Sequence, residues 1–285
     1  MPNLERAMVY KSNSLVEASY RLSVAEQRIL LACISQVRRD EPITDEVMYS
    51  VSAQDIAELS ETDSKTTYRD LKEAALRLKR REIRIELEPN GKSKRKQILI
   101  CGWVQTIMYM ENEGRVSLRF NKDMLPYLTE LTAQFTKYRL KAVAKMDSTY
   151  AIRLYELLIQ WRDAGERDVS LEWLREIFQL GDKYPSIKDL KKRVIEPAVA
   201  QINEHSDLWV KWDQRKTGRV VTHLRFRFGL KVEAVPTPRM RVIAGDMING
   251  VSKTEVEAKA WPGETYSQAA ERLKRQAEKR RPAER

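Results

Sequence analysis

The sequence predicts an α+β chain of two tandem winged-helix domains, related by internal duplication and followed by a C-terminal extension. Three observations carry this. Residues 186–204 read as a helix with an apolar face and a basic face. A hairpin with a basic, glycine-containing tip comes next. Landmarks of the first half then recur in the second at a nearly constant offset.

In the helix, Ser186 follows Pro185 and caps the first turn, with Asp189 three residues on in a capping-box-like position. Ile187, Leu190, Val194, Ala198 and Ile202 recur at helical spacing and make one apolar face. Lys188, Lys192 and Arg193 fall on the opposite arc, and Lys191 sits at the border. All four precede Pro197, in the half of a recognition helix that meets the DNA major groove. Taken alone, such a helix also reads as an ordinary solvated basic face. The hairpin changes that reading. Segments 208–211 and 220–228 flank Gln214-Arg215-Lys216-Thr217-Gly218-Arg219, and the second arm alternates His223, Arg225 and Arg227 with Leu224, Phe226 and Phe228. Residues 186–231 hold 11 Lys and Arg against 5 Asp and Glu, a net +6 of the chain's +11. Charge concentrated on one helix and one wing is a footprint for nucleic acid.

Composition bounds the alternatives. A chain of 285 residues allows about two domains. Its longest strongly apolar run, 29–34, falls far short of the ~18 residues that a membrane span needs. No secretory h-region is present, so the cytoplasm is expected and a membrane partner is not. Cys33 and Cys101 each lie in an apolar segment and read as core thiols. His205 and His223 have no Cys/His cluster around them, which argues against zinc and against a metal-dependent nicking enzyme. Gly91-Lys92-Ser93 looks like the end of a phosphate loop, but Glu86 stands where the earlier glycine is required. No catalytic residues, cofactor or metal are expected, and the chain is read as a non-enzyme.

From the start, a short polar lead ends in a helical turn at 13–17. Ser23 caps a core helix through Val37, with Glu26 at the capping-box position. A strand at 48–51, a Ser52-capped helix, a polar turn at 60–63 and a helix at 64–81 then make a helix-turn-helix. On that last helix Lys65, Arg69, Lys72 and Lys79 are available to solvent or phosphate. Strands are expected at 83–87, 97–104 and 115–120, and Asn121 caps a short helix through Leu128. The turn at 89–96 carries Lys92, Lys94, Arg95 and Lys96, so each half is expected to end in a basic hairpin of its own.

The offset is the decisive regularity. Val51-Ser52 recurs as Val169-Ser170 after 118 residues, and Asp70-Leu71-Lys72 as Asp189-Leu190-Lys191 after 119. A period this long is a duplicated domain, not a solenoid. The expected domains are 1–134, 135–232 and 233–285. The link at 132–139 has no Gly/Ser-rich run, which predicts domains docked in few arrangements. The extension is expected to be partly disordered, with an exposed helix at 265–281.

Phe135-Thr136-Lys137-Tyr138-Arg139-Leu140 and Tyr150-Ala151-Ile152-Arg153-Leu154-Tyr155-Glu156-Leu157-Leu158 resemble the middle of the iteron-binding plasmid replication initiators, such as that of the F plasmid. Leu22-Ser23 with Glu26-Gln27-Arg28, Val169-Ser170-Leu171, the 189–193 helix and Gly218-Arg219 with Thr222-His223 follow in the family's order. The resemblance covers about residues 8–232. It implies a monomer that binds direct repeats at an origin, opens it and recruits host replication proteins such as the host initiator and helicase. It also implies a dimer, joined mostly through the first domain, that represses its own gene at an inverted repeat. By position, Lys188, Lys191, Lys192 and Arg193 match the recognition helix, and Arg215, Lys216 and Arg219 the wing. Lys65, Thr66, Tyr68, Arg69 and Lys72 match the first domain's DNA-facing helix. A winged-helix transcriptional regulator without an initiator role is the alternative in the same class. A relaxase or nuclease is the different-class alternative, disfavoured by the missing His cluster and phosphate loop.

Overall fold

The computed structural model describes residues 4–38, 44–87, 97–129, 134–231, 247–261 and 264–279. The chain divides into a large unit, Met1–Lys231, and a small one, Val232–Arg285. The large unit opens with a 3-10 turn and β1 (Met8–Ser12), α1 (Asn13–Val16), β2 (Ser19–Tyr20) and α2 (Val24–Ile34). Ser23 and Glu26 close a full capping box on α2. Glu26 is buried and its carboxylate also takes Arg81 at 3.0 Å and Arg77 at 3.3 Å. The chain continues through β3 (Tyr49–Ser52), α3 (Ala53–Ser60) and α4 (Ser64–Leu78), so that Glu26 ties α2 to the far end of α4. Leu71, Ala74, Ala75 and Leu78 turn the apolar face of α4 into the core.

Next come β4 (Glu82–Leu87), β5 (Gln97–Gly102), β6 (Val104–Met110) and β7 (Arg115–Phe120). One strand was expected at 97–104; the structure has two, because the chain changes sheets at Trp103. That indole is 1 % exposed and packs edge-on against Tyr20, so the crossing point is anchored in the core. A 3-10 helix capped by Asn121, β8 (Phe135–Arg139), α5 (Lys141–Ala144) and α6 (Thr149–Ile159) follow. The rest of the unit is β9 (Glu166–Ser170), α7 (Leu171–Ile177), α8 (Ile187–Leu190), a π-helical turn (Lys191–Ile195), α9 (Glu196–His205), β10 (Leu208–Thr217) and β11 (Val220–Leu230).

Two winged-helix domains are present, and their sheets match. In the second, the strand order is β10-β11-β9; in the first it is β6-β7-β3. In both, the strand that leads into the helix pair bonds to the second arm of the closing hairpin. This corrects one expectation. The first domain's wing equivalent is β6–β7, whose turn carries Glu111, Asn112 and Glu113, not the basic hairpin at 83–104. The latter is an insertion, β4–β5, paired with β2 in a separate sheet. Its turn, with Gly91-Lys92-Ser93, lies outside the described residues.

The N-terminal lead, read from the sequence only as short and polar, holds β1. It pairs antiparallel with β8, from Met8 opposite Arg139 to Ser12 opposite Phe135, so the link between domains is itself a strand. Beside it lies a buried polar cluster centred on Glu156 of α6. Lys11 reaches its Oε1 at 2.5 Å, and the Tyr138 hydroxyl donates to the same oxygen at 2.5 Å. Tyr20 donates to Oε2 at 3.3 Å, and Arg153 stands 3.6 Å from it. Arg153 also donates to the carbonyls of Val16 and Ala18. Burial opposes the charge on Glu156, but Lys11 and Arg153 outweigh it and hold the carboxyl below its ordinary value.

The small unit has β12 (Met247–Ile248), β13 (Val251–Ser252), α10 (Lys253–Lys259) and α11 (Tyr266–Lys279) around a core of Val256, Ala269 and Ala270. Glu264 bonds Arg272 at 2.7 Å, and that guanidinium stacks on Trp261. Among the described residues no helix is long and apolar enough to cross a membrane.

Candidate nucleic-acid interface

The second domain builds its helix-turn-helix from polar anchors. Ser170 caps α7 by accepting from the Trp173 amide. The turn after α7 passes through positive φ at Gln179, Gly181 and Tyr184. Arg175 holds it there, its guanidinium donating to the carbonyls of Lys183, Tyr184 and Pro185. Ser186 then caps α8 through the Asp189 amide at 3.0 Å. The expected capping box is not completed: the Asp189 carboxylate accepts from the Ser186 hydroxyl, not from a backbone amide.

From Ile187 to His205 the helix runs without a break, but its middle is a π turn. The Glu196 amide bonds the Lys191 carbonyl, five residues back. Pro197 is the local cause, since it has no N–H to give the Arg193 carbonyl and its ring would crowd that group. Leu190, Val194, Ile195, Ala198, Val199 and Ile202 are buried. Lys188, Lys192 and Arg193 are exposed, while Lys191 is partly buried and donates to the Gln214 side chain of β10 at 3.1 Å. Lys191 therefore joins helix to wing.

The wing is longer than expected, with β10 reaching Thr217 and β11 starting at Val220. Its loop is the pair Gly218-Arg219. Gly218 has φ +63°, a value that a two-residue hairpin loop asks of its first residue. Lys216 and Arg219 are exposed at the tip beside Val220. Arg215 is differently placed: it shares Asp168 of β9 with Arg225, at 2.9 Å and 2.8 Å. Hydrogen bonding from Arg225, with Arg215 adding its charge, holds the Asp168 carboxyl below the usual carboxylate range.

In the first domain, Ser52 closes a capping box on α3 with Asp55, and Asp63 caps α4. Thr66 is exposed but gives its amide and hydroxyl to Asp63, at 2.9 Å and 3.1 Å. Tyr68 is partly buried against β6–β7: a Cβ on Gly114 would lie 2.7 Å from its ring. Lys72 stands over the Tyr109 ring, 5.7 Å from its centre. Arg69 faces outward, its side chain 72 % exposed and 3.7 Å from the Asp70 carboxylate. The side chain of Lys65 lies outside the described residues. The second domain thus collects Lys188, Lys192, Arg193, Lys216 and Arg219 on exposed helix and wing, whereas the first presents a mixed surface.

Sequence reasoning missed Arg175, Gln214 and Asp168, which position the site. Period-two alternation would have put Asp168 on the sheet's outer face with Arg225, but nothing local signals Arg175. Among the described residues no group of three or more His, Cys, Asp or Glu side chains could hold a metal ion.

A family model described as "Initiator Replication protein, WH1" matches residues 8–159, and "Initiator Rep protein, WH2" matches residues 170–228. The chain belongs to the initiator replication protein family. Two Escherichia coli relatives agree. A "Replication initiation protein" is 24% identical over 234 residues, covering 80% of this chain and 71% of its own. The "PI protein" is 23% identical over 253 residues, covering 79% and 83%. The solved structure of Pi initiator protein in complex with iteron DNA superposes with a TM-score of 0.68 at 22% identity, covering 80% of this initiator and 99% of that chain. The two share the tandem winged-helix fold.

Proposed function

We propose that this initiator binds tandem direct repeats at a plasmid origin as a monomer, opens the DNA and recruits host replication proteins. The observation that carries this is the run of exposed cations on one helix and wing: Lys188, Lys192, Arg193, Lys216 and Arg219. Lys191 and Arg215 support that surface from its edge, through Gln214 and Asp168. Thr66 and Arg69, with Lys65, Tyr68 and Lys72 on the same helix, form the first domain's weaker contribution to the DNA backbone. The Pi initiator, of the same fold, was solved on iteron DNA, which favours this reading over regulation alone. Two domains on neighbouring turns, each ~34–36 Å, would cover about two turns of DNA. Footprinting on direct repeats beside scrambled DNA tests it. Protection of about two turns per repeat is the expected result; equal affinity for both DNAs would refute it.

The same chain, as a dimer, would repress its own gene. Support comes from β5, which among the described residues is an edge strand bonded to β4 alone. Ile98 and Ile100 are 56 % and 54 % exposed on it. An exposed apolar edge strand is a template for pairing with another chain. Leu99 points the other way, partly buried against the core. Changing Ile98 and Ile100 to Asp should raise the monomer fraction in sedimentation, weaken inverted-repeat binding and spare direct-repeat binding. A monomer that loses both sites equally would remove the dimer switch.

A further inference from the structure

The π turn in the recognition helix has a cause in Pro197, and it also has a geometrical effect. In a straight α-helix each residue advances about 100°. Counting from Leu190 at zero, Val194, Ala198 and Ile202 would drift to about 40°, 80° and 120°, with Ile195 and Val199 at about 140° and 180°. The buried arc would then span half the helix. Lys191, at about 100°, would sit at its centre, and Lys188, at about 160°, inside its rim. Neither is so placed. Lys188 is exposed and Lys191 only partly buried, its ammonium free to reach Gln214. A bond to the fifth residue back turns the chain through a smaller angle per residue. The turn thereby takes up one residue more than an α-turn would, and the apolar positions on either side of it fall back into one narrow stripe.

We infer that this extra residue determines DNA sequence specificity by setting the angle at which Lys188, Lys192 and Arg193 face the groove. Pro197 and the widened backbone of the turn act as positioning elements: they fix which base edges the side chains of Lys188, Lys192 and Arg193 reach. The inference rests on the proposed reading of the helix as the base-reading element. Its content is separate. The basic residues act through their phase relative to the core, and not only through their charge.

A straightened helix tests this. Deleting Lys192 together with Pro197→Ala removes the extra residue and restores the missing donor, while Leu190 before the deletion site and Val194, Ala198 and Ile202 after it keep one stripe. Lys192→Ala, with the π turn retained, is the control that removes the same charge. Affinities for a set of repeats, each with one base pair changed, give a profile for every variant. The control should bind more weakly but keep the wild-type ranking of positions. The straightened variant should lose that ranking, and its preference for the intact repeat should fall at least about tenfold further than the control's, the scale of one base contact. A straightened variant with the control's profile overturns the inference. Should it fail to fold, deleting Arg193 instead, again with Pro197→Ala, preserves the same stripe. If both deletions unfold while the substitutions do not, the turn does not hold a spare residue and the inference also falls. A flat profile for the wild type would instead sink the base-reading assignment, which keeps the two failures apart.

Discussion

Replacing Glu156 with alanine will cost the fold about 3–5 kcal/mol, the penalty of stranding buried charge when one partner of an ion pair is removed. Glu156 is 1 % exposed, and the two cations it serves, Lys11 and Arg153, are 2 % and 3 % exposed. Without the carboxylate, Lys11 loses its 2.5 Å partner and the Tyr138 hydroxyl loses its acceptor. Arg153 keeps its two backbone carbonyls, so Lys11 is the group most exposed to the loss. A double change, Lys11→Met with Glu156→Leu, should recover much of the stability, because a packed apolar pair replaces a desolvated ionic one. Urea unfolding of the three proteins would measure this. A single-mutant cost below about 1 kcal/mol would mean that water reaches the cluster.

The same group sets an acid limit. A carboxyl held below its unfolded-state value contributes stability above that value and loses it as pH falls through the folded one. Lys11 and Arg153 hold Glu156 low, against the effect of burial. Acidification should therefore begin to part β1 and α6 only below the ordinary carboxylate range, and Glu156→Gln should abolish that component of the acid transition.

The second large effect lies on the DNA side. Lys192→Glu with Arg193→Glu should bring affinity for the cognate repeat close to that for unrelated DNA. One base contact discriminates by ~1–3 kcal/mol, so losing two is worth ~2–6 kcal/mol. Reversed charge also repels phosphate, which lowers binding to every sequence. Lys191 is left alone because its ammonium already serves Gln214. Both changed side chains are exposed and have no role in the buried stripe, so stability should stay within about 0.5 kcal/mol. Competition gel shifts and thermal melts read the two halves of this expectation. A double mutant that still prefers the repeat would move base reading off this helix.

Local chemistry made much of the fold legible. Serine caps, 3.6-residue stripes and period-two strands each act over a few residues, so Ser23, Ser52, Ser170 and Ser186 announce their helices in the sequence. Pairings across long separations were not legible. The β1 residues carry no sign that their partners are 135–139, and nothing local shows that the strand expected at 97–104 divides, so that β6–β7 and not β4–β5 closes the sheet with β3. The exposure of Lys192 and Arg193 on the helix after Ser186 followed from spacing alone. The π turn of that helix did not, because Pro197 near the middle of a helical pattern signals a disturbance without saying which one. The anchoring by Arg175 was equally hidden, since its acceptors are backbone carbonyls that any residue could supply.

The pairing of β1 with β8 has a further consequence during synthesis. Met8 must wait for Arg139, 131 positions later in the chain, before its strand has a neighbour. At about 5–20 residues per second, that delay is roughly 7–26 s on the ribosome. Throughout it the nascent first domain carries an open strand beside a lysine destined for the interior, and a domain-sized piece is extruded before its beginning can be tied down. A truncated product ending before residue 135 would keep that strand open for good, and would offer a growing neighbour on the same message a place to join.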